Sequence, residues 1–171
     1  MHAANKAMLD RRLLLAGVGA AGLLAALRWL AGSEVEAAGA FEIQKSDSEW
    51  RASLSKAQYD VLRLHHTETP GSSPLNKEKR KGTFACAGCD LPLFASETKY
   101  ESGTGWPSFY APLPGAIATS TDRLLFFPRT EVHCRRCGGH LGHVFEDGPP
   151  PTGLRYCMNG IALKFLPDAP A

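Results

Sequence analysis

No surplus of charge marks this 171-residue chain: 19 Lys and Arg stand against 17 Asp and Glu, a net charge of +2. The broad basic face that nucleic acid requires is missing. No apolar run reaches the roughly 20 residues that span a bilayer; the N-terminal one stops at residues 13–27. No low-complexity tract follows residue 40. The five cysteines are odd in number, so any pairing leaves one over. What remains is ordinary for a globular protein, at 44% hydrophobic and 21% charged residues, and long enough for one domain with a core of its own. Twelve prolines and seventeen glycines point to many turns and short elements.

The first 40 residues read as a segment apart from the fold. Arg11-Arg12 precede the modest apolar run, Arg28 closes it, and Ala38-Gly39-Ala40 offers a small-residue cleavage site. This is the pattern of a twin-arginine export signal, and it implies an exported, periplasmic protein. An uncleaved anchor running through Leu23, Leu27, Trp29 and Leu30 is the alternative. Without this segment, residues 41–171 carry a net charge of +1, which says nothing about partners.

Residues 34–44 suggest a linker. Residues 48–65 have a helical period, with Trp50, Leu54, Ala57, Val61 and Leu64 three or four apart; the step at Leu54-Ser55-Lys56-Ala57 can break the run into two short helices. Residues 69–81, rich in Pro, Gly, Ser and Lys, read as a loop. From Gly82 onward short strands and tight turns are expected, with Leu124-Leu125-Phe126-Phe127 a buried strand and residues 154–165 a strand or two.

Four cysteines form two C-x2-C pairs, Cys86/Cys89 and Cys134/Cys137. Two intervening residues let a turn aim both sulfurs at one ion, and two such turns complete a closed four-thiolate zinc site. Two alternatives stand beside it. In an oxidising compartment the pairs can be disulfides or redox dithiols. A zinc site can also be assembled within one segment from Cys134, Cys137, His140 and His143. Folded export favours the four-thiolate reading, because the ion is then loaded before the thiolates meet oxidants. The fifth cysteine, Cys157, lies in Arg155-Tyr156-Cys157-Met158-Asn159. Strand alternation puts Arg155, Cys157 and Asn159 on one face, where a cation favours the thiolate; an inert buried cysteine is the other reading.

His140 and His143 lie three apart, and a regular strand points them to opposite faces. A bulge at Gly142 brings them to the same one. His65 and His66 fall at a helix end, with a solvated role. In Gly103-Thr104-Gly105-Trp106-Pro107-Ser108-Phe109, glycines and a proline fix a large ring at a turn, either as packing or as a wall for a methyl or thioether group.

In order, these motifs resemble the methionine sulfoxide reductase B family, specific for the R epimer. The likeness rests on the C-x2-C pairs, Lys99 to Phe109, Arg129 to Cys134, His140 to Pro149 and Arg155 to Asn159. It implies a mainly β fold with short N-terminal helices and two antiparallel sheets, with one structural zinc ion on Cys86, Cys89, Cys134 and Cys137. It also implies Cys157 as nucleophile, His140, His143 and Asn159 as hydrogen-bonding and acid groups, and Trp106 as the ring that receives the substrate methyl. The implied substrates are oxidised proteins, and the implied co-substrate is an external thiol reductant, thioredoxin-like or other.

Two departures stand out. Many members have a resolving cysteine where this chain has Thr104, so a one-cysteine cycle is expected, with the sulfenic acid reduced directly by an outside thiol. The family often has Gly before Thr-Glu, then an aromatic-bearing loop; here His66 precedes Thr67-Glu68, and Pro74-Leu75-Asn76 follow. The rival reading is a zinc-stabilised binding module without catalysis.

Overall fold

The computed structural model describes residues 41–123 and 127–169. The export-signal reading of residues 1–40 and the strand expected at Leu124-Leu125-Phe126 lie outside the described residues; Phe127, at the end of that run, is 80% exposed. Among the described residues no helix is long and apolar enough to cross a membrane.

Two short helices open the domain, α1 (Asp47–Ser53) and α2 (Lys56–Leu64). Each starts with a reciprocal capping box, Ser46 with Glu49 and Ser55 with Gln58, so two orphan N–H groups are satisfied at each start. The break expected at Leu54-Ser55 is therefore a new helix start, and it resets the apolar phase. Trp50, Leu54 and Val61 are buried as the periodicity predicts, but Ala57 and Leu64 face outward and Tyr59 and Leu62 take the inward positions. In the expected loop at residues 69–81, Pro74–Lys77 form one 3-10 turn capped by the Ser73 hydroxyl.

Among the described residues nine strands follow: β1 (Gly82–Cys86), β2 (Pro92–Ala95), β3 (Lys99–Tyr100), β4 (Ser108–Phe109), β5 (Ile117–Asp122), β6 (Arg129–Cys134), β7 (His140–Phe145), β8 (Arg155–Met158) and β9 (Leu163–Pro167). They make two antiparallel sheets, ordered β2-β1-β9 and β3-β4-β8-β7-β6-β5. The segment at residues 154–165 supplies β8 and β9, which lie in different sheets on either side of a 3-10 turn, Gly160–Ala162. Fully buried Phe84 of β1, Phe94 of β2 and Phe109 of β4 bridge the sheets, with Phe94 stacked on Phe109 at 4.3 Å and Phe84 edge-on to it at 5.0 Å. Burying each such ring contributes about 1.5–3 kcal/mol. α2, with Val61 and Leu62 buried, packs against β7 and the 3-10 turn.

The larger sheet places one polar row across its strands. Ser108, Cys157, His143, Glu131 and Ser120 are cross-strand neighbours in sequence along β4-β8-β7-β6-β5. The next row, through Phe109, Tyr156 and Val144, has its side chains on the opposite face.

Candidate active site and metal centre

The two C-x2-C turns are built alike. Cys86 ends β1 and Cys134 ends β6. In both, the first cysteine's carbonyl accepts a hydrogen bond from the N–H four residues on, Asp90 or Gly138 at 2.9 Å. Both of those residues have positive φ, 59° and 66°. The first cysteine's own N–H is held by the carbonyl of Leu91 or Gly139, again at 2.9 Å. The sequence echo is thus a repeated backbone device that turns two sulfurs toward one point.

The four sulfurs lie within 4.8 Å of one another, with Cys86 Sγ to Cys137 Sγ at 3.7 Å and Cys89 Sγ to Cys134 Sγ at 3.5 Å. A tetrahedron with Zn–S bonds of about 2.3 Å has edges of about 3.8 Å, whereas a disulfide needs about 2.05 Å. The four side chains fit a divalent ion and are not bonded to each other; all five cysteines are free thiols. Their mutual hydrogen bonds push the Cys86 and Cys137 thiols up and pull Cys89 and Cys134 down. Four thiolates so close need a cation to share their charge. The alternative site within one segment is not assembled: Cys134 and Cys137 face Cys86 and Cys89, while His140 and His143 lie against carboxylates.

Those carboxylates explain how the histidines are aimed. Between β6 and β7 the register runs Val132 to Gly142 and then His133 to His140, so Leu141 is an extra residue on β7. This bulge puts His140 and His143 side by side, with ring centroids 5.4 Å apart. Gly142 is required there: a Cβ at this position would sit 2.1 Å from the Cys157 carbonyl oxygen. His143 Nε2 lies 2.8 Å from Asp122 Oδ2, which Arg129 also approaches at 2.6 Å. Burial holds the His143 imidazole below its ordinary pKa, against the pull of Asp122. His140 Nδ1 lies 2.7 Å from Glu131 Oε1, and the buried Nε2 has no protein partner. Burial raises the Glu131 carboxyl, but bonds from His140 and Ser120 outweigh this and hold it at about 2.

Cys157 borders a cavity of about 100 Å³, which it shares with His143, Asn159, Trp106, Thr67, Gly142, Arg129 and Phe145. That is well below the size of drug-binding pockets and suits the end of one side chain. His140 stands outside this lining. A larger groove, about 540 Å³, lies between α2 and the Gly160–Ala162 turn but holds neither cysteine nor tryptophan; the reactive groups, and not the volume, locate the chemistry.

The neighbours of Cys157 differ from the simple strand-face reading. The guanidinium of Arg155 forms a two-pronged pair with Asp147, at 2.8 and 2.9 Å, and lies over the Phe145 ring; the cation is shared with a carboxylate rather than given to the thiol alone. On the other side the Thr104 hydroxyl lies 3.7 Å from Cys157 Sγ. It continues through Ser102, at 2.8 Å, to the fully buried Ser108, at 2.7 Å, whose hydroxyl also reaches the Trp106 carbonyl. Thr104 is thus a partner of the sulfur.

Glu68 organises the remainder. Its carbonyl accepts from Trp106 Nε1 at 3.1 Å and its N–H donates to Asn159 Oδ1 at 2.9 Å, while Asn159 Nδ2 donates to the Leu141 carbonyl at 3.1 Å. The Asn159 amide is committed to joining the Glu68 segment to β7. The Glu68 carboxylate accepts from the N–H groups of Gly160 and Ile161. The loop at residues 69–81 is tied in as well: Gly105, at φ 92°, offers its carbonyl to Gly71 N–H and Asn76 Nδ2. The roles of Glu68, Asp122, Glu131 and Asp147 carry no signal in the sequence, because a single acidic residue has no period or spacing that records its partner.

The SelR domain model matches residues 54–167. A protein of Pseudomonas putida (strain W619) named "Peptide methionine sulfoxide reductase MsrB" is 55% identical over 127 residues, covering 74% of this chain and 96% of its own length. Proteins of the same name from Agrobacterium fabrum and Methanosarcina mazei are each 51% identical, covering 74% of this chain and 94% and 91% of their own lengths.

Proposed function

The chain belongs to the SelR domain family, and from that premise we propose how its residues carry out the reaction. The protein is a peptide methionine sulfoxide reductase, an oxidoreductase that returns methionine-R-sulfoxide to methionine at the expense of thiols. The observation that carries the site assignment is the shared cavity that joins Cys157 to His143, Asn159 and Trp106.

The substrate methyl packs on the Trp106 ring, whose nitrogen is already held by Glu68. The sulfoxide oxygen takes a proton from His143, which lines the cavity and is backed by Asp122, with His140, backed by Glu131, edge-on beside it. The Cys157 thiolate attacks the sulfoxide sulfur. Oxygen and the oxidising equivalent pass to Cys157, methionine departs, and Cys157 is left as a sulfenic acid. Two equivalents of an external thiol then restore the cysteine, yielding a disulfide and water. Thr104 stands where a resolving thiol would, and it offers the sulfur a hydroxyl instead. Asn159 acts by positioning the cavity wall.

Cys86, Cys89, Cys134 and Cys137 hold one structural zinc ion, which ties β1 to β6 and takes no part in the reaction. The substrates are protein-bound methionine-R-sulfoxides, and the reductant is thioredoxin-like or another small dithiol. Arg11-Arg12 and the run after them direct the protein to the periplasm by the twin-arginine route, as a cleaved signal or a retained anchor.

Cys157→Ser tests the assignment. Reduction of methionine-R-sulfoxide should vanish while one zinc per chain and the thermal transition are kept; retained activity would remove Cys157 as nucleophile and favour the silent binding module.

A further inference from the structure

The end of α2 brings a third imidazole to the His140–Glu131 pair. His65 caps the helix in the left-handed conformation, φ 58°, with its N–H bonded to the Asp60 carbonyl. There it is no freely solvated side chain. Its ring stacks on His140 at 5.0 Å, and its Nδ1 lies 3.1 Å from Glu131 Oε1, the oxygen that His140 Nδ1 approaches at 2.7 Å. Ligand atoms of His65, Glu131 and His140 all fall within 4.8 Å. Three donors bound to one zinc-sized ion at about 2.0–2.1 Å stand roughly 3–3.5 Å apart, so small side-chain movements convert this cluster into a coordination set.

We propose that His65, Glu131 and His140 form a second, regulatory site for a divalent transition-metal ion of the zinc class, separate from the four-cysteine centre. The donor set is of the kind such ions prefer, two imidazoles and a carboxylate, leaving one position open to water. Glu131 is buried and its second oxygen is fixed by the Ser120 hydroxyl, the outer support that metal-binding carboxylates usually have. His65 is 47% exposed by side chain and gives the ion its way in. Binding at His140 Nδ1 displaces the proton held there: the neutral ring carries it at Nε2 instead, and the imidazolium gives it up to solvent. On the catalytic reading above, the bound ion draws the His140–Glu131 pair away from its place against His143, so the site is inhibitory. The binding itself does not depend on that reading.

The experiment titrates zinc into reduced full-length protein whose four-cysteine site is filled. Binding is read by calorimetry in a Cys157→Ser background, which removes the reactive thiol as a competing ligand. Activity is read on the chain with Cys157 intact. His65→Gly is the test variant, because glycine suits the left-handed cap, and His65→Asn, which also tolerates it, is the second. The expected result is a second zinc per chain, lost or weakened at least about tenfold in both variants. Reductase activity should be inhibited by zinc when His65 is present and at least about tenfold less sensitive in the variants. A chain that takes up only one zinc, or variants that bind the second equally well, would overturn the site. Second-ion binding that depends on His65 but leaves activity untouched would overturn its inhibitory role alone and count against His140 in catalysis.

Discussion

Replacing Gly142 by alanine perturbs the reaction through the backbone, without touching a reactive group. The added Cβ would lie 2.1 Å from the Cys157 carbonyl oxygen and 3.0 Å from Met158 Cα. Ordinary carbon–oxygen contact needs more than about 3 Å, so β7 and β8 must separate by roughly 1 Å. Both strands are central in the sheet, with β6 and β4 beyond them, so the strain cannot be released at an edge. Overpacking of this kind costs about 1–3 kcal/mol, and for a domain of this size that lowers Tm by roughly 4–11 °C. The same 1 Å displaces Cys157 from His143, its cross-strand neighbour. Misplacement by that distance costs on the order of 100-fold in rate. The assay pairs a thermal melt with kcat/KM on a peptide bearing methionine-R-sulfoxide, with zinc content as control. A folded, zinc-loaded Gly142→Ala protein with unchanged kcat/KM would refute the claim that the β7–β8 spacing sets the catalytic geometry.

Thr104→Val removes the hydroxyl beside Cys157 Sγ; loss of about 1.4 kcal/mol of stabilisation of the attacking sulfur lowers kcat/KM about tenfold, and Thr104→Ser should restore most of it. Cys89→Ser should abolish binding of the structural zinc and lower Tm, since metal binding is folding free energy; a metal-free variant that melts with the parent would exclude the structural role. Glu131 is held at about 2 in the fold against an ordinary 4.5, so the unfolded chain binds its proton first. The stability it contributes is present above about pH 4.5 and is lost as pH falls toward 2, by at most roughly 3 kcal/mol; Glu131→Gln should flatten that part of the profile. Peroxide or substrate alone should add one oxygen to Cys157 in intact mass, with no internal disulfide.

The parts of the molecule most legible in the sequence were those set by local rules. The apolar period announces the helical stretch, and the step at Leu54-Ser55 announces its break into two helices. The C-x2-C pairs announce a thiolate cluster through spacing alone. The bulge that aligns His140 and His143 is expected at Gly142 from its place in a strand-like run, and it falls one residue earlier, at Leu141. What escaped depends on register between strands distant in the chain. Asp122 reaches His143 across 21 residues and Glu68 reaches Asn159 across 91, and nothing local in either acidic residue records its partner. His65 shows the same limit: helix-end chemistry suggested solvent, whereas packing of α2 against β7 brings it onto His140. The outward turn of Ala57 and Leu64 has a local cause, the fresh cap at Ser55, which a single continuous helical period overlooks.

On the proposed function Cys157 performs a stereospecific, one-cysteine reduction, and a single turnover is the decisive test. Purified protein, reduced, zinc-loaded and free of added thiol, is mixed with excess peptide containing methionine-R-sulfoxide, with the S epimer as control. About one equivalent of methionine per chain is expected from the R epimer, none from the S epimer, with an oxygen adduct on Cys157. No product from a folded, zinc-loaded sample, or a Cys157 disulfide to one of the four clustered cysteines, would contradict it.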